Sequence, residues 1–501
     1  VINIITKKAG DTRGLYAEAG GGNELRAFGG LRYGGRLGEK TSIRVYGKYF
    51  DRDDAALANG EDASDSWNMG HGGFRIDAAP SDKNTITFQS DYYQGNQHIA
   101  TGGAGKAVGG NMLGRWTRTI SGSSDLMLQL YFDRTQLELP VPETLAEGGA
   151  VLAPAGTLKD NLNTYDVDFQ HRVDFNERNK MVWGLGYRFT SNEVENAPAL
   201  AFLPASLDRN LISAFLQHEI KLGDDFLFTV GTKVEHNDYT KFEFEPSARL
   251  HIDLNESQNL WAAVSRAVRM PSRVDRHIRL PTPNFAPFIE NLLIGGENFD
   301  SETVIAYELG YRILFGSTVS GSISSFYNVY DKIRSTSTGP PPFGLPLFYE
   351  NNLEGETYGA EMTIAWQALD WWRLRMGYNY FMEDIRVKPG KSDFNNALNE
   401  NADPRNRISL QSFMNLSPNV TFDTRFRWID SFEYNMSGDA GTVPAYAELE
   451  ARVAWLPTNK LELSLTGQHL LHDRHLEYVI SSPNPRAEIQ RSVYLKIAYR
   501  F

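Results

Sequence analysis

With 501 residues and a formal net charge of −12, the chain has the length of two or three ordinary soluble domains, yet no stretch of it reads as a linker between them. No apolar run approaches the roughly 18 residues of a membrane-spanning helix, and the mean hydropathy is −0.40, so a helical membrane protein is excluded. A transmembrane barrel stays open, because its polar lumen averages out its lipid face; the acidic balance argues against a nucleic-acid partner, and the absence of cysteine suits an oxidising compartment.

The chain opens without an initiator Met or a signal peptide. An outer-membrane chain is made with one, so a leading segment is expected to have been removed. After residues 1–13, alternating segments lie near 14–21, 24–36, 40–53, 66–79, 82–96, 109–120, 123–137, 161–176, 179–193, 210–222 and 225–240. A second set lies near 243–254, 257–267, 304–316, 317–334, 355–369, 370–384, 403–416, 417–433, 444–456, 460–471 and 487–501, which makes about 22 strands. One face of each is apolar and the other largely polar: Leu126, Leu128, Leu130 and Phe132 oppose Met127, Gln129, Tyr131 and Asp133. Likewise Val420, Phe422, Phe426 and Trp428 oppose Thr421, Asp423, Arg425 and Arg427.

The gaps alternate between tight turns, such as Gly38-Glu39 and Ser417-Pro418, and connections mostly much longer, including 137–161, 193–210, 267–304, 334–355 and 384–403. Two, at 21–24 and 240–243, are short where long ones are due. Short turns on one rim and long loops on the other describe an outer-membrane barrel with both termini periplasmic, and the 12% aromatic content suits interfacial girdles. So wide a barrel is not filled by its own side chains, and natural examples hold a plug. The final segment alternates back from Phe501 through Tyr499, Ile497, Leu495 and Val493. This ending on an aromatic residue resembles the assembly signal of bacterial outer-membrane barrels.

Val1-Ile2-Asn3-Ile4-Ile5-Thr6-Lys7 resembles the last plug strand of TonB-dependent receptors, usually GVINIITK. Glu245-Pro246-Ser247-Ala248-Arg249 with Ser265-Arg266-Ala267-Val268-Arg269-Met270-Pro271-Ser272 is similar to the family's PR…FRxPS pattern. Tyr307-Glu308-Leu309-Gly310-Tyr311-Arg312, Gly359-Ala360-Glu361 and Gln468-His469-Leu470-Leu471-His472-Asp473 stand at the places of YELGxR, GxE and NLfD. The resemblance implies a plug remnant at 1–13 and an all-β transmembrane antiparallel barrel at 14–501, integral to the bacterial outer membrane. It further implies a monomer without catalytic activity or cofactor, whose partners are TonB, reached through the missing N-terminal part, outer-membrane lipid and lipopolysaccharide, the barrel-assembly machinery and a scarce ligand. A ferric siderophore or similar metal chelate comes first among ligands by family frequency, with cobalamin and haem behind it. A passive porin is the alternative from another class, and it leaves the motifs unexplained. Enzyme signatures such as HExxH, GxSxG or a cysteine nucleophile are absent from the sequence.

Candidate ligand-binding residues gather in the longest loop: Arg273, Arg276, His277, Arg279, Phe285 and Phe288 mix cations with aromatics, which suits an anionic aromatic chelate. In haem-transporting relatives a histidine in the interval that holds His277 is a ligand. Tyr92, Tyr93 and His98, at the top of the fifth strand, are second candidates or girdle residues. The three cations at 276, 277 and 279 are expected to be removable at little cost to stability. Asp51, Asp53, Asp54, Glu61, Asp62 and Asp65 could bind calcium as hard oxygen ligands, but without an EF-hand pattern they read first as a solvated acidic loop. His469, His472 and His475 sit at a strand end, where period two sends His472 away from the other two; no metal site is expected there.

Overall fold

In the computed structural model, which describes residues 6–99, 102–285, 289–398, 400–436, 439–479 and 486–501, one continuous sheet holds 25 strands. Three short ones, Ala201–Phe202, Ile278–Pro281 and Asn291–Ile294, belong to extracellular loops, and the other 22 form the wall of a closed antiparallel barrel. Closure is made by Gly14–Gly22, which pairs with Ala27–Arg36 on one side and with Ser492–Arg500 on the other, in a register running from Tyr16 against Arg500 to Gly22 against Tyr494. The first and last wall strands thus cover each other's edges, as they must in lipid, where an unpaired backbone group has no water to bond.

The strands follow the alternation of their residues. On Leu461–Gln468 and Ser492–Arg500, Leu465 and Leu495 are each 50% exposed, which in an isolated barrel marks the lipid side. Their inward neighbours are polar and paired: Arg452 bridges Asp423 at 3.6 Å and Glu462 at 2.7 Å, and Lys496 adds to Glu462 at 3.5 Å. The periplasmic connections are short turns; the longest extracellular one spans 270–301 between Gln258–Arg269 and Glu302–Phe315. The connections after Gly22 and Asn237 are short extracellular turns, as the spacing predicts. Helix is confined, among the described residues, to the 3-10 turn Ala9–Thr12 and the five-residue helix Arg273–His277.

Strand limits depart from the alternation mainly at the extracellular ends. Ala104–Ser121, Ser124–Val141, Gly156–Asn176, Ser206–Leu222 and Leu347–Leu369 run several residues past the expected 109, 137, 161, 210 and 355. Above the bilayer both faces meet water, so the apolar-polar pattern stops while the backbone ladder continues. The last expected strand, 487–501, is broken at Arg491. Ala487–Gln490 leaves the wall to pair with Ala56–Leu57 and Arg474–His475 in a small extracellular sheet.

Residues 1–5, most of the plug-like motif, lie outside the described residues. Thr6, Lys7 and Ala9 lie against the inner wall: Arg75 donates to the Thr6 hydroxyl (2.9 Å), Arg44 to the Lys7 carbonyl (2.8 Å), and the Ala9 N–H donates to Asp77 (2.7 Å).

Candidate functional site

The loop 270–301 is built around Asp275. Ser272 caps the helix Arg273–His277 through a reciprocal capping box, its hydroxyl accepting from the Asp275 N–H while the Asp275 carboxylate accepts from the Ser272 backbone. The Ser272-Arg273-Val274-Asp275 spacing is a readable start signal. Asp275 is fully buried, and its carboxylate also receives Arg269 at 3.1 Å and Arg334 at 3.4 Å, with Arg269 forked onto Glu302 at 2.6 and 2.7 Å. Burial alone would raise the Asp275 pKa; the Ser272 and Arg269 hydrogen bonds outweigh it and hold the carboxyl below the usual range.

The short turn after Asn237 provides the loop's second post. Tyr239 stands between two guanidinium groups, with Arg276 4.7 Å and Arg209 5.2 Å from its ring centre, and its hydroxyl lies 3.3 Å from His277 Nδ1. Arg276 donates to the Phe299 carbonyl at 2.9 and 2.6 Å. Gly295-Gly296 lets the chain pass here, since a Cβ on either would strike the Arg276 backbone or the Tyr349 carbonyl. Arg273 is 8% exposed and reaches across to the neighbouring loop, donating to Asn192 at 2.5 Å and to the Pro204 carbonyl. Arg273 and Arg276 are therefore struts. The expectation that the three cations can be removed at little cost fails for Arg276 and His277, because both are packed into the loop's fold rather than projected from it.

His277 carries little charge at neutral pH. Burial comes first, and Arg273, Arg276, Arg209 and Arg279 add to it, lowering the pKa to about 4. The folded value lies below the unfolded one of about 6.5, so the unfolded loop takes up the proton first. The contribution of His277 to loop packing is thus full above about pH 6.5 and is lost as pH falls toward 4. Limited proteolysis of the loop across this range should show increasing cleavage on acidification, and a His277→Gln variant should flatten the profile.

The loop's outer half opens a cleft of about 720 Å³. Phe202 pairs with Ile278 and Ala201 with Arg279, Ile278–Pro281 then pairs with Asn291–Ile294, and Ile294 runs parallel to Phe348, so a narrow ribbon joins two rim segments. Arg279, Lys332, Lys388 and Lys391 line the cleft with Phe348 and Tyr349 and with the acids Glu297, Asp300 and Glu350, while Phe299, which borders it, is buried. A bulge with Lys332 at φ 59° aims that side chain at Asp300 (2.5 Å), and Lys388 pairs with Asp331 (2.6 Å). Arg279, which donates to its neighbour's carbonyl at 2.9 Å, and Lys391 have no carboxylate partner among the described residues. The three lysines escape sequence reading, because they lie on other segments and only the pairing of the strands beneath them brings them together.

The remaining candidates are scattered. Phe285 is 41% exposed, and Phe288 lies outside the described residues. Tyr92 shares the exposed face of Asn84–His98 with Ile86 and Phe88, whereas Tyr93 faces inward, 3.3 Å from Thr135; the two cannot grip one ligand together. His98 bonds Ser66 at 2.9 Å. In the acidic loop, Asp54 and Asp65 accept backbone N–H groups at 2.6 and 2.7 Å, and Asp51 and Asp53 face Arg26 at 3.5 and 3.4 Å.

A family model described as TonB dependent receptor-like, beta-barrel, matches residues 9–468. The chain belongs to this family. TonB-dependent receptors are receptors and transporters, not enzymes, and the barrel is accordingly integral to the outer membrane. The siderophore receptor PirA of Acinetobacter baumannii superposes with a TM-score of 0.82 at 14% identity, over 99% of this chain and 81% of that one. The ferric enterobactin receptor PfeA of Pseudomonas aeruginosa gives 0.77 at 14% identity, over 100% and 82%. Among curated relatives, an iron-regulated outer membrane virulence protein of Vibrio cholerae is 26% identical over 178 residues, 34% of this chain; that match spans only 26% of the relative's length.

Proposed function

We propose that the chain supplies the wall and extracellular loops of an active-uptake receptor for an anionic, aromatic metal chelate, a ferric siderophore, with residues 1–13 the last strand and linker of a plug that TonB displaces. The observation that carries this reading is the cleft in which Arg279 and Lys391, without a carboxylate partner among the described residues, stand beside Phe348 and Tyr349, because a chelate with charged oxygens and flat rings calls for cations and aromatic faces together. PirA, a siderophore receptor, and PfeA, a ferric enterobactin receptor, support the same ligand class. Haem is less favoured: His277 is wedged against Tyr239 among guanidinium groups.

The test is a titration of ferric catecholate, ferric hydroxamate, haem and cyanocobalamin against the receptor as made in the cell, at fixed salt. Each charge-assisted contact contributes roughly 1.5 to 3 kcal/mol, so Arg279→Ala with Lys391→Ala should weaken ferric siderophore binding about a hundredfold. Unchanged affinity would remove the cleft from the binding site.

A further inference from the structure

At the extracellular rim, on the far side of the sequence from the long loop, three of the chain's ten histidines and two glutamates converge. Period two does not hold there. His469 adopts φ 53°, which ends the strand Leu461–Gln468 and lets the chain fold back over the top of Tyr446–Thr458, so His472 turns toward His475 instead of away from it. The ring centres of His472 and His475 are 5.7 Å apart.

Glu448 lies two residues below the extracellular end of its strand, on the inward face with Glu450 and Arg452. It is fully buried, and no arginine or lysine pairs with it among the described residues. One oxygen accepts the Leu471 N–H at 3.4 Å. The other lies 2.6 Å from His472 Nδ1 and 3.2 Å from His475 Nδ1. The 3.2 Å separation matches the roughly 3.3 Å edge of a tetrahedron whose ligand bonds are about 2.0 Å, and at 2.6 Å His472 Nδ1 donates a hydrogen bond to the carboxylate that a cation would replace.

The decisive atom is His475 Nδ1. Its ring is 9% exposed and held in place on every side. Arg474–His475 pairs with Ala487–Gln490, the Tyr446 ring packs against the imidazole at a tilt with centres 4.8 Å apart, and Nε2 donates to Glu477 at 2.8 Å. Glu477 is itself fixed by Arg427 at 2.5 Å. With Nε2 carrying the proton, Nδ1 presents a lone pair, and that nitrogen has no hydrogen-bond partner among the described residues. A lone pair therefore faces a buried carboxylate. The pair repels unless something positive sits between them, and the Glu477–His475 arrangement is the outer support that orients a ligating imidazole.

We propose that Glu448, His472 and His475 bind one divalent first-row cation of the zinc class and so staple the loop 469–491 to the barrel wall. Two imidazoles and one carboxylate suit zinc, and the half-exposed His472 leaves the fourth position to water. His469 is not a ligand: its Nδ1 is occupied by Arg427 at 3.2 Å, and that guanidinium repels a cation from the Glu477 side. The site rests on the rim geometry alone and stands independently of any uptake reading.

The experiment titrates zinc and cobalt into detergent-extracted, chelator-stripped receptor, with equilibrium dialysis for stoichiometry and the cobalt visible spectrum for geometry. One equivalent should bind, with a tetrahedral cobalt spectrum. His472→Ala, at an exposed position where folding is not at stake, should lower affinity roughly a hundredfold or more, at least the loss that results from removal of an outer-shell partner. Glu448→Gln should do the same in protein that retains its heat-modifiable gel mobility, and His469→Asn, which tolerates the left-handed turn, should bind as wild type does. Zinc should also protect the loop 469–491 from protease in wild type and not in His472→Ala. Absence of stoichiometric binding by wild type would overturn the proposal and leave a proton, as an imidazolium, between Glu448 and His475; equal affinity in His472→Ala would overturn it as well.

Discussion

Asp275→Ala should open the extracellular mouth while leaving the barrel closed. The carboxylate is fully buried and joins a helix cap, Arg269 of the preceding strand and Arg334 of a strand beyond the loop, so its loss removes several charge-assisted bonds at once. Each contributes roughly 1.5 to 3 kcal/mol, partly offset by relief of the cost of burying the charge. Arg269 and Arg334 are each nearly half exposed and can turn to water, and Arg269 keeps Glu302, so a net local loss of about 3 kcal/mol is the expectation. That raises the open population of the loop by more than a hundredfold. Protease cleavage within 270–301 on intact cells should rise accordingly, with heat-modifiable mobility unchanged, and siderophore binding should fall with it. Equal cleavage of variant and wild type would show that Tyr239 and Arg273 hold the loop without Asp275.

The second large effect concerns the closing seam. Leu495 lies near the middle of the strand Ser492–Arg500 on its lipid face, so Leu495→Arg should cost about 2 to 4 kcal/mol and sharply lower the surface-exposed level. Phe501 sits at the periplasmic edge of the same face, 63% exposed, with its N–H donating to Leu15 at 2.8 Å and its ring 4.2 Å from that of Tyr499. By depth alone, Phe501→Asp should cost only about 0 to 1 kcal/mol. We propose that Phe501 also serves in assembly, which predicts a loss of surface protein as severe as that of Leu495→Arg. A level matching that of a loop substitution would reduce Phe501 to one more rung of the wall.

The site was legible in the sequence only in part. Arg279 could be placed at the mouth because it lies in the longest loop, and Ser272-Arg273-Val274-Asp275 announces a helix cap. That Arg273 and Arg276 would be committed to holding the loop could not be read, because their partners, Asn192, the Pro204 carbonyl and the Phe299 carbonyl, have no sequence signal: two of the three are backbone atoms. Tyr92 and Tyr93 show the opposite case. Adjacent residues on a strand must face opposite ways, so that rule alone separates them.

By itself the sequence determined the 22-strand wall, the side of each strand that meets lipid, and which rim carries the loops. Those properties come from a two-residue period and from turn length, both local, and they survive in any closed barrel of this size. Only the tertiary structure decided which loop side chains meet. Arg334 joins Asp275, Lys391 joins Arg279, and Glu448 joins His475 because the pairing of neighbouring strands sets their extracellular ends side by side. Above the bilayer no lipid face constrains the side chains, so the alternation that made the wall readable stops there. His469, turning through a left-handed conformation at the end of its strand, is where that local rule gave way.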